Sequence, residues 1–432
     1  MSGQYSKSIK PTYFDPRTDL SNRMSEFRLD SGSAYLPNLR LANIGFQGSA
    51  QQETARLVGF LGIVKHIRLM DGGVELSSLR FANRYLSWLE QLGNNQDNLN
   101  LKSALSRSKV GYMLNSNDKV AHPDIGPEHS TKCQVAFNES NTGYLDLRHV
   151  FPVLNELNHL DTSIFKGLKV VIEYETEDGM IQVDKTKTHT THPPILIADE
   201  ITDPAVAAEL AKAQKNVVWN EVEHDQFLVP DRVAVGDALA SDTASSVQTV
   251  SSVINGFDNK HVSRVVIMKA FSNLASNFSG NVAIGNGPYS SYSQDAEALQ
   301  VRINGANIFP ANGIDSPSKR AMKLAQAWGK VNILPFSNTG SIGLDNADAA
   351  LQNDSGVPIA SATKQSEIVG QSDYIGFSLE ERVRQLNFTF SRVNRKDTNG
   401  IQRNNLGLDM HVYAEVRKGL NFGNGGYNVS YV

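Results

Sequence analysis

Short apolar runs, each closed by turn residues, recur along the whole chain, and this punctuation constrains the fold more than any single motif. The cleanest run is Gly167–Tyr174, GLKVVIEY, a β-branched stretch entered through a glycine. Val262–Met268 (VSRVVIM), Leu299–Ile308 (LQVRINGANI) and Leu408–Val416 (LDMHVYAEV) have the same character. Ser25–Leu29, Leu36–Phe46, Tyr144–Leu154, Val217–Val229, Gln385–Phe390 and Tyr427–Val432 also read as strands. Asp71-Gly72-Gly73, Asn304-Gly305 and Gly423–Gly426 mark hairpin turns. The 37 asparagines and 33 glycines among 432 residues fit many short connections, because both residue types tolerate left-handed backbone. Three segments follow a helical period instead: Leu79–Leu105, Asp203–Gln214 with its capping Asp203 and first-turn Pro204, and Ser316–Trp328. The expected class is all-β with short inserted helices.

Composition removes several functions. The net charge of −4 gives no global basic field for nucleic acid. No apolar run approaches the roughly 18–20 residues that cross a bilayer as a helix. The opening MSGQYSKSIKPTYFDPRTDL lacks the apolar centre of a signal peptide, and the lone Cys133 excludes an intrachain disulfide framework and a cysteine zinc cluster. These features set the expectation of folding in a reducing, intracellular compartment.

The chain divides into two similarly ordered halves. In each, a hairpin turn precedes a helix, and the turns at Asp71 and Asn304 lie 233 residues apart. In each, a long polar loop (residues 111–142 and 338–366) leads to a late β-branched strand, and Leu168 and Leu408 lie 240 residues apart. Both offsets are of domain size. The polar first 24 residues, broken by Pro11 and Pro16, read as an extended arm without a core of its own. The expected division is an arm over 1–24, a first domain over 25–205 and a second over 206–432.

The constellations that could carry catalysis are weak, and the expected catalytic, cofactor and metal residues are none. His189 and His192 form the closest histidine pair, but KTHTTHPP offers no third metal ligand. Glu173/Glu175 and Glu221/Glu223 share a strand face by their two-residue spacing, as a glycosidase pair would. The plainer reading of both is a solvated strand face. His66 and His411 sit in strand-like runs, and Cys133 lies in TKCQVAF without a nucleophile signature. The stretch Gly280–Gly287 lacks the Lys and Ser/Thr of a P-loop, and neither GxSxG nor HExxH occurs. Sequons at Asn138, Asn277, Asn387 and Asn428 carry little weight in an Asn-rich chain. Arg382, Arg384, Arg392, Arg395, Lys396, Arg403 and Lys418, with Lys7 and Lys10 of the arm, supply local positive charge for an anionic partner, against the plainer reading of a mixed surface.

The runs SEFRLDSGSAYLPNLRLANIGF (Ser25–Phe46), LDLRHVFPVL with FKGLKVVIEYE (Leu145–Glu175), LQVRINGANIFP (Leu299–Pro310) and LDMHVYAEVRKG (Leu408–Gly419) together resemble the double jelly-roll major capsid proteins of tailless icosahedral double-stranded DNA viruses, the adenovirus and tectivirus lineage. The resemblance implies two jelly-roll β-sandwich domains in tandem and a structural protein that is not an enzyme. It further implies homotrimers that act as pseudo-hexameric capsomers in an icosahedral virion shell, folded in the host cytoplasm or nucleus. Partners would be neighbouring copies, minor or vertex capsid proteins, and a genome or internal membrane surface met by the arm. Two other readings stay open on the residues: a glycan-binding or glycan-cleaving β-sandwich protein, and a vertex or minor capsid protein with a single jelly roll and an extra domain.

Overall fold

The structure, a computed structural model, describes residues 8–20, 23–48, 52–54, 59–91, 133–135, 143–175, 189–192, 194–230, 247–271, 297–310, 312–328, 375–393, 408–423 and 426–432. The first half carries β1 (Ile9–Phe14), β2 (Thr18–Leu20), β3 (Met24–Arg28), β4 (Ala34–Tyr35), β5 (Arg40–Gly48), β6 (Gln52–Thr54), β7 (Val64–Asp71), β8 (Val74–Arg80) and helix α1 (Ala82–Gln91). It continues through β9 (Cys133–Val135), β10 (Gly143–Asp146), α2 (Val153–Glu156), β11 (Leu160–Asp161), β12 (Leu168–Tyr174), β13 (His189–His192) and β14 (Ile195–Ile201). Helix α3 (Pro204–Ala213) follows, started by Asp203, whose side chain accepts from the Ala205 N–H, with Pro204 in the first turn. The second half contains β15 (Val217–Val229), β16 (Val247–Ile254), β17 (Lys260–Phe271), β18 (Glu297–Ile303), β19 (Ala306–Asn307), α4 (Pro317–Trp328), β20 (Ile375–Val383), β21 (Leu386–Val393), β22 (Leu408–Gly423) and β23 (Gly426–Tyr431).

Both halves wind the same way. In the second, β15 to β22 are eight consecutive strands, and they pair as β15-β22-β17-β20 and β16-β21-β18-β19. Numbered within the roll, that order is 1-8-3-6 and 2-7-4-5, two antiparallel sheets linked by Greek-key connections, which is a jelly roll. The same two orders appear in the first half as β1-β14-β5-β10 and β3-β12-β7-β8. The short β2, β4, β11 and β13 add to the margins of these sheets. Among the described residues no sheet pairs a strand of the segment up to Ile201 with a strand of the segment from Val217 on, and the expected boundary at 205/206 falls within α3.

This register corrects two expectations. The N-terminal segment is not a free arm in its described part: β1 is the first strand of the first roll, pairing from Ile9↔Ile201 to Phe14↔Leu196. Thr18–Leu20 likewise pairs with β3, and the Phe14 ring packs edge-on against Tyr35 at 6.0 Å. Pro11 disguised the strand, yet β1 is an edge strand, where a residue without an N–H can face away from its neighbour. The second correction concerns the late strands. Leu168–Tyr174 is strand seven of its roll, whereas Leu408–Gly423 is strand eight of the other. The true counterpart of β12 is therefore β21, and that of β22 is β14.

The hairpin correspondence is a match in the fold. Gly72-Gly73 and Asn304-Gly305 both join strands four and five of their rolls. Asn304 (φ 51) and Gly305 (φ 87) form the left-handed pair that a two-residue hairpin demands. A helix follows strand five in each roll. The first starts later than the Leu79–Leu105 period suggested: Leu79 still belongs to β8, and α1 begins at Ala82 and is described to Gln91, with residues 92–105 outside the described set. The expected loops at 111–142 and 338–366 lie outside the described residues apart from Cys133–Val135.

Two apolar clusters fill the molecule. One is the interior of the second roll, with Phe227, Val265, Phe388, Met410 and Val412. The other fills the first roll and runs on across the outer face of the β15-β22-β17 sheet through Val222, Val266, Met268 and Tyr413, and it also takes in Trp219 and Leu420. Strand β22 is therefore buried on both faces. Met410, Val412, Ala414 and Val416 point into their own roll, while Tyr413 and Leu420 join the other cluster. Helix α4 packs on β20 at Gly376, where a Cβ would meet Leu324 Cδ1 and lie 2.7 Å from Trp328 Cζ3.

Candidate functional site

A jelly roll has no built-in cleft for chemistry, and the polar side chains concentrate instead at the seam between the rolls. From the first roll come β8, Phe81 and α1; from the second come β15 and β22. Period-two alternation places Trp219 and Glu221 on one face of β15, turned toward β8. Glu221 is 1% exposed. Ser77 Oγ (2.7 Å) and the Ser78 N–H (3.0 Å) donate to its Oε1, and Trp219 Nε1 donates to its Oε2 at 2.6 Å. The two serines belong to the other roll, so this carboxylate staples the seam. Burial pushes its pKa up, against the opposing pull of Lys418 and of the three donors.

A ring cluster lies beside it. His224 Nε2 and His411 Nδ1 are 2.9 Å apart, and Phe81 of the first roll packs 4.9 Å from each ring. Tyr413 packs at a tilt against His224 at 4.9 Å and against Tyr85 at 5.2 Å, and its hydroxyl donates to the Phe81 carbonyl at 2.9 Å. Phe81 itself holds a left-handed φ of 47, a strained conformation that this packing maintains. Further along, Tyr427 donates to Asp71 Oδ2 at 2.7 Å, with Phe165 against Tyr427 at 4.9 Å and against Phe422 at 6.1 Å.

The acid pairs do not form a cleft. Glu173 binds Arg68 at 2.6 Å and lies 3.7 Å from His66 on the outer face of the first roll. Glu175 turns inward, accepts from Asn83 Nδ2 at 2.9 Å and pairs with Lys65 at 3.4 Å. Glu223 is held by Lys260 at 2.6 Å, Lys418 at 3.6 Å and the Tyr431 hydroxyl at 2.7 Å. The solvated-face reading thus fails for Glu221 and Glu175, which are buried. Trp219 is buried too, so it offers no sugar platform. His189 and His192 lie on β13, paired with Gly48 and Gly45 of β5, and Cys133 starts β9. Among the described residues no group of three His, Cys, Asp or Glu could hold a metal ion.

The C-terminal basic residues disperse. Arg382 donates to the Asn259 carbonyl, Arg392 is buried on Gln248 and the Pro230 carbonyl, and Lys418 pairs with Glu223 at 3.6 Å. Lys10 lies on β1, and Lys7, Arg395, Lys396 and Arg403 lie outside the described residues. The sequons split in the same way: Asn387 and Asn428 lie on β21 and β23, while Asn138 and Asn277 fall outside the described residues. Among the described residues no helix is long and apolar enough to cross a membrane.

The equivalent outer faces of the two rolls differ in character. On the first, ion pairs lace the strands, with Lys169–Glu26 at 3.1 Å and Arg68–Glu173 at 2.6 Å. On the second, Thr249, Thr389, Ser391, Gln300 and Ala298 line a shallow concavity of about 570 Å³, with Arg302 and Asp315 at its borders.

Two antiparallel eight-stranded rolls of identical winding, welded along one seam, define a double jelly-roll protein. No protein-family model and no curated protein matches the sequence. Solved structures match over nearly the whole chain. The mavirus major capsid protein superposes with a TM-score of 0.55 and 11% identity, covering 98% of this chain and 90% of that one. PBCV-1 VP54, fitted into a reconstruction of the virophage Sputnik, gives 0.53 and 9% over 98% and 96%. A chain of the Sputnik virophage structure gives 0.52 and 11% over 98% and 88%. At these identities the likeness is one of fold, and the fold is the double jelly roll of such capsid proteins.

Proposed function

We propose that this chain is a structural capsid protein that trimerises into pseudo-hexameric capsomers and builds an icosahedral virion shell. The observation that carries the reading is the paired 1-8-3-6 and 2-7-4-5 winding over the whole chain, shared with viral capsid proteins. Two like rolls per chain give six per trimer, so three copies approximate a hexagon and tile a shell. The seam supports this role physically, because a wedge that meets neighbours on several sides must not hinge between its halves. The Thr/Ser/Gln-rich face of the second roll, with Arg302 and Asp315 at its borders, suits contact with another protein, since interface centres are depleted in Lys and Glu. The role is structural rather than enzymatic, in keeping with the engagement of Glu173, Glu175, Glu221 and Glu223 in ion pairs and hydrogen bonds. Minor or vertex capsid proteins are the further partners such a shell requires, and a genome or internal membrane surface would be met by residues 1–7 rather than by Ile9–Phe14, which is occupied in the sheet. Light scattering on the size-exclusion peak tests the reading. A mass three times the 47.3 kDa protomer is expected, and a strictly monomeric chain at tens of micromolar overturns it.

A further inference from the structure

We propose that the face formed by His224, His411 and Asp409 is an acid-sensitive latch, holding the second roll on the first at neutral pH and loosening the seam on acidification. The latch rests on where charge would appear. His224 (β15) and His411 (β22) share one hydrogen bond at 2.9 Å, so one ring donates and the other accepts while both are neutral. His411 is 2% exposed, and its Nε2 has no hydrogen-bond partner. Facing the pair across the seam is cationic surface of the first roll. Arg80 of β8, Arg84 of α1 and His66 of β7 all act on His224, and Arg84 also acts on His411. Lys65 and Arg84 each stand 5.9 Å from the centre of the Phe81 ring, which separates the histidines from them.

A first added proton would be buried beside the Arg84 and Arg80 guanidiniums, and a second would set two N–H donors against each other at the same contact. Asp409, two residues before His411, adds a term of the same sense. Its carboxylate is attracted to Arg84, burial raises its pKa, and acid removes that attraction while positive charge accumulates on the histidines. Glu221, whose carboxyl is also raised by burial, lies in the same seam, with the charge of Lys418 and the Trp219, Ser77 and Ser78 donors opposing the rise. Burial first, then the neighbouring cations, holds both histidines far below their ordinary value, His224 at about 3. Neutral imidazoles therefore persist in the closed seam while an opened seam takes up protons below about pH 6.5. The latch resides in a single chain, so its behaviour is independent of whether copies assemble.

Hydrogen exchange on the full chain, read by mass spectrometry and corrected for intrinsic pH dependence, tests it. Peptides from the seam (residues 74–86 and 408–423) are followed. Between pH 7.5 and pH 5.0, seam protection should fall at least tenfold. A double variant, His224→Gln with His411→Gln, should keep seam protection within about threefold. Equal loss in wild type and double variant overturns the latch. Should the double variant fail to fold, Arg84→Gln serves instead: opening should move to lower pH, and an unmoved transition overturns the proposal.

Discussion

Replacing Glu221 with Gln is the sharpest perturbation of the seam, because the side chain keeps its shape and loses only its charge and one acceptor. Three donors converge on the carboxylate: Ser77 Oγ, the Ser78 N–H and Trp219 Nε1–H. An amide can satisfy either the serine side or the tryptophan side, since its NH2 group must point at one of them. If it points at Trp219, two N–H groups face each other and the indole loses its partner. If it points at the serines, Ser77 can rotate its hydroxyl to accept, but the Ser78 N–H stays orphaned. Leaving one buried donor unmatched costs about 1–3 kcal/mol, and the surviving bonds lose their charge assistance, together about 2–4 kcal/mol. Part of this is offset because the buried carboxylate is costly in itself, as its raised pKa records. Urea unfolding of wild type and variant at pH 7.5 measures the difference. A loss under about 0.5 kcal/mol would show that the carboxylate does not staple the rolls. Glu221→Gln combined with Trp219→Phe should lose less than the two single losses added, because the phenylalanine removes the donor that the amide would orphan.

Other consequences follow from the same geometry. Deleting residues 1–14 strips the first strand from β14 and uncovers Phe14's site beside Tyr35, and should lower stability by at least about 2 kcal/mol; a free arm would leave the melting temperature unchanged. Gly376→Ala pushes a methyl into Leu324 and Trp328 and should destabilise by about 1–3 kcal/mol, with Trp328→Leu in the same chain recovering part of the loss in a thermal melt. Unfolding free energy should fall as pH drops from about 6.5 toward 3, since the depressed folded-state values of His224 and His411 mean that the unfolded chain binds more protons there. At pH 5 this amounts to roughly 2 kcal/mol per histidine, measured by urea titration across pH, and a flat profile in that window contradicts the burial of the pair.

The sequence carried the local structure well, because local structure obeys local rules. Asp203-Pro204 announces α3, Asn304-Gly305 announces its hairpin, and the β-branched run after Gly167 is a strand as read. The misreadings arose where a partner distant in sequence decides the outcome. Pro11 argues against a strand until β14, nearly 190 residues later, turns out to leave it on an edge. Glu221 looks solvated until β8 of the other roll covers it with two serines. LDMHVYAEV itself hid the seam, because Asp409, His411 and Glu415 alternate with apolar residues as they would on a strand with one wet face. The half-to-half comparison found the hairpin and helix correctly but paired strand seven with strand eight, since both are long, buried and β-branched.

The central claim is that each chain is a rigid pair of like rolls and that three chains make one six-lobed unit. Imaging the isolated oligomer by electron cryo-microscopy tests it most directly. Class averages down the symmetry axis should have a near-hexagonal outline with six roll-sized lobes at three-fold symmetry. Averages with two lobes only, or with the paired lobes at variable angles to each other at neutral pH, would contradict it.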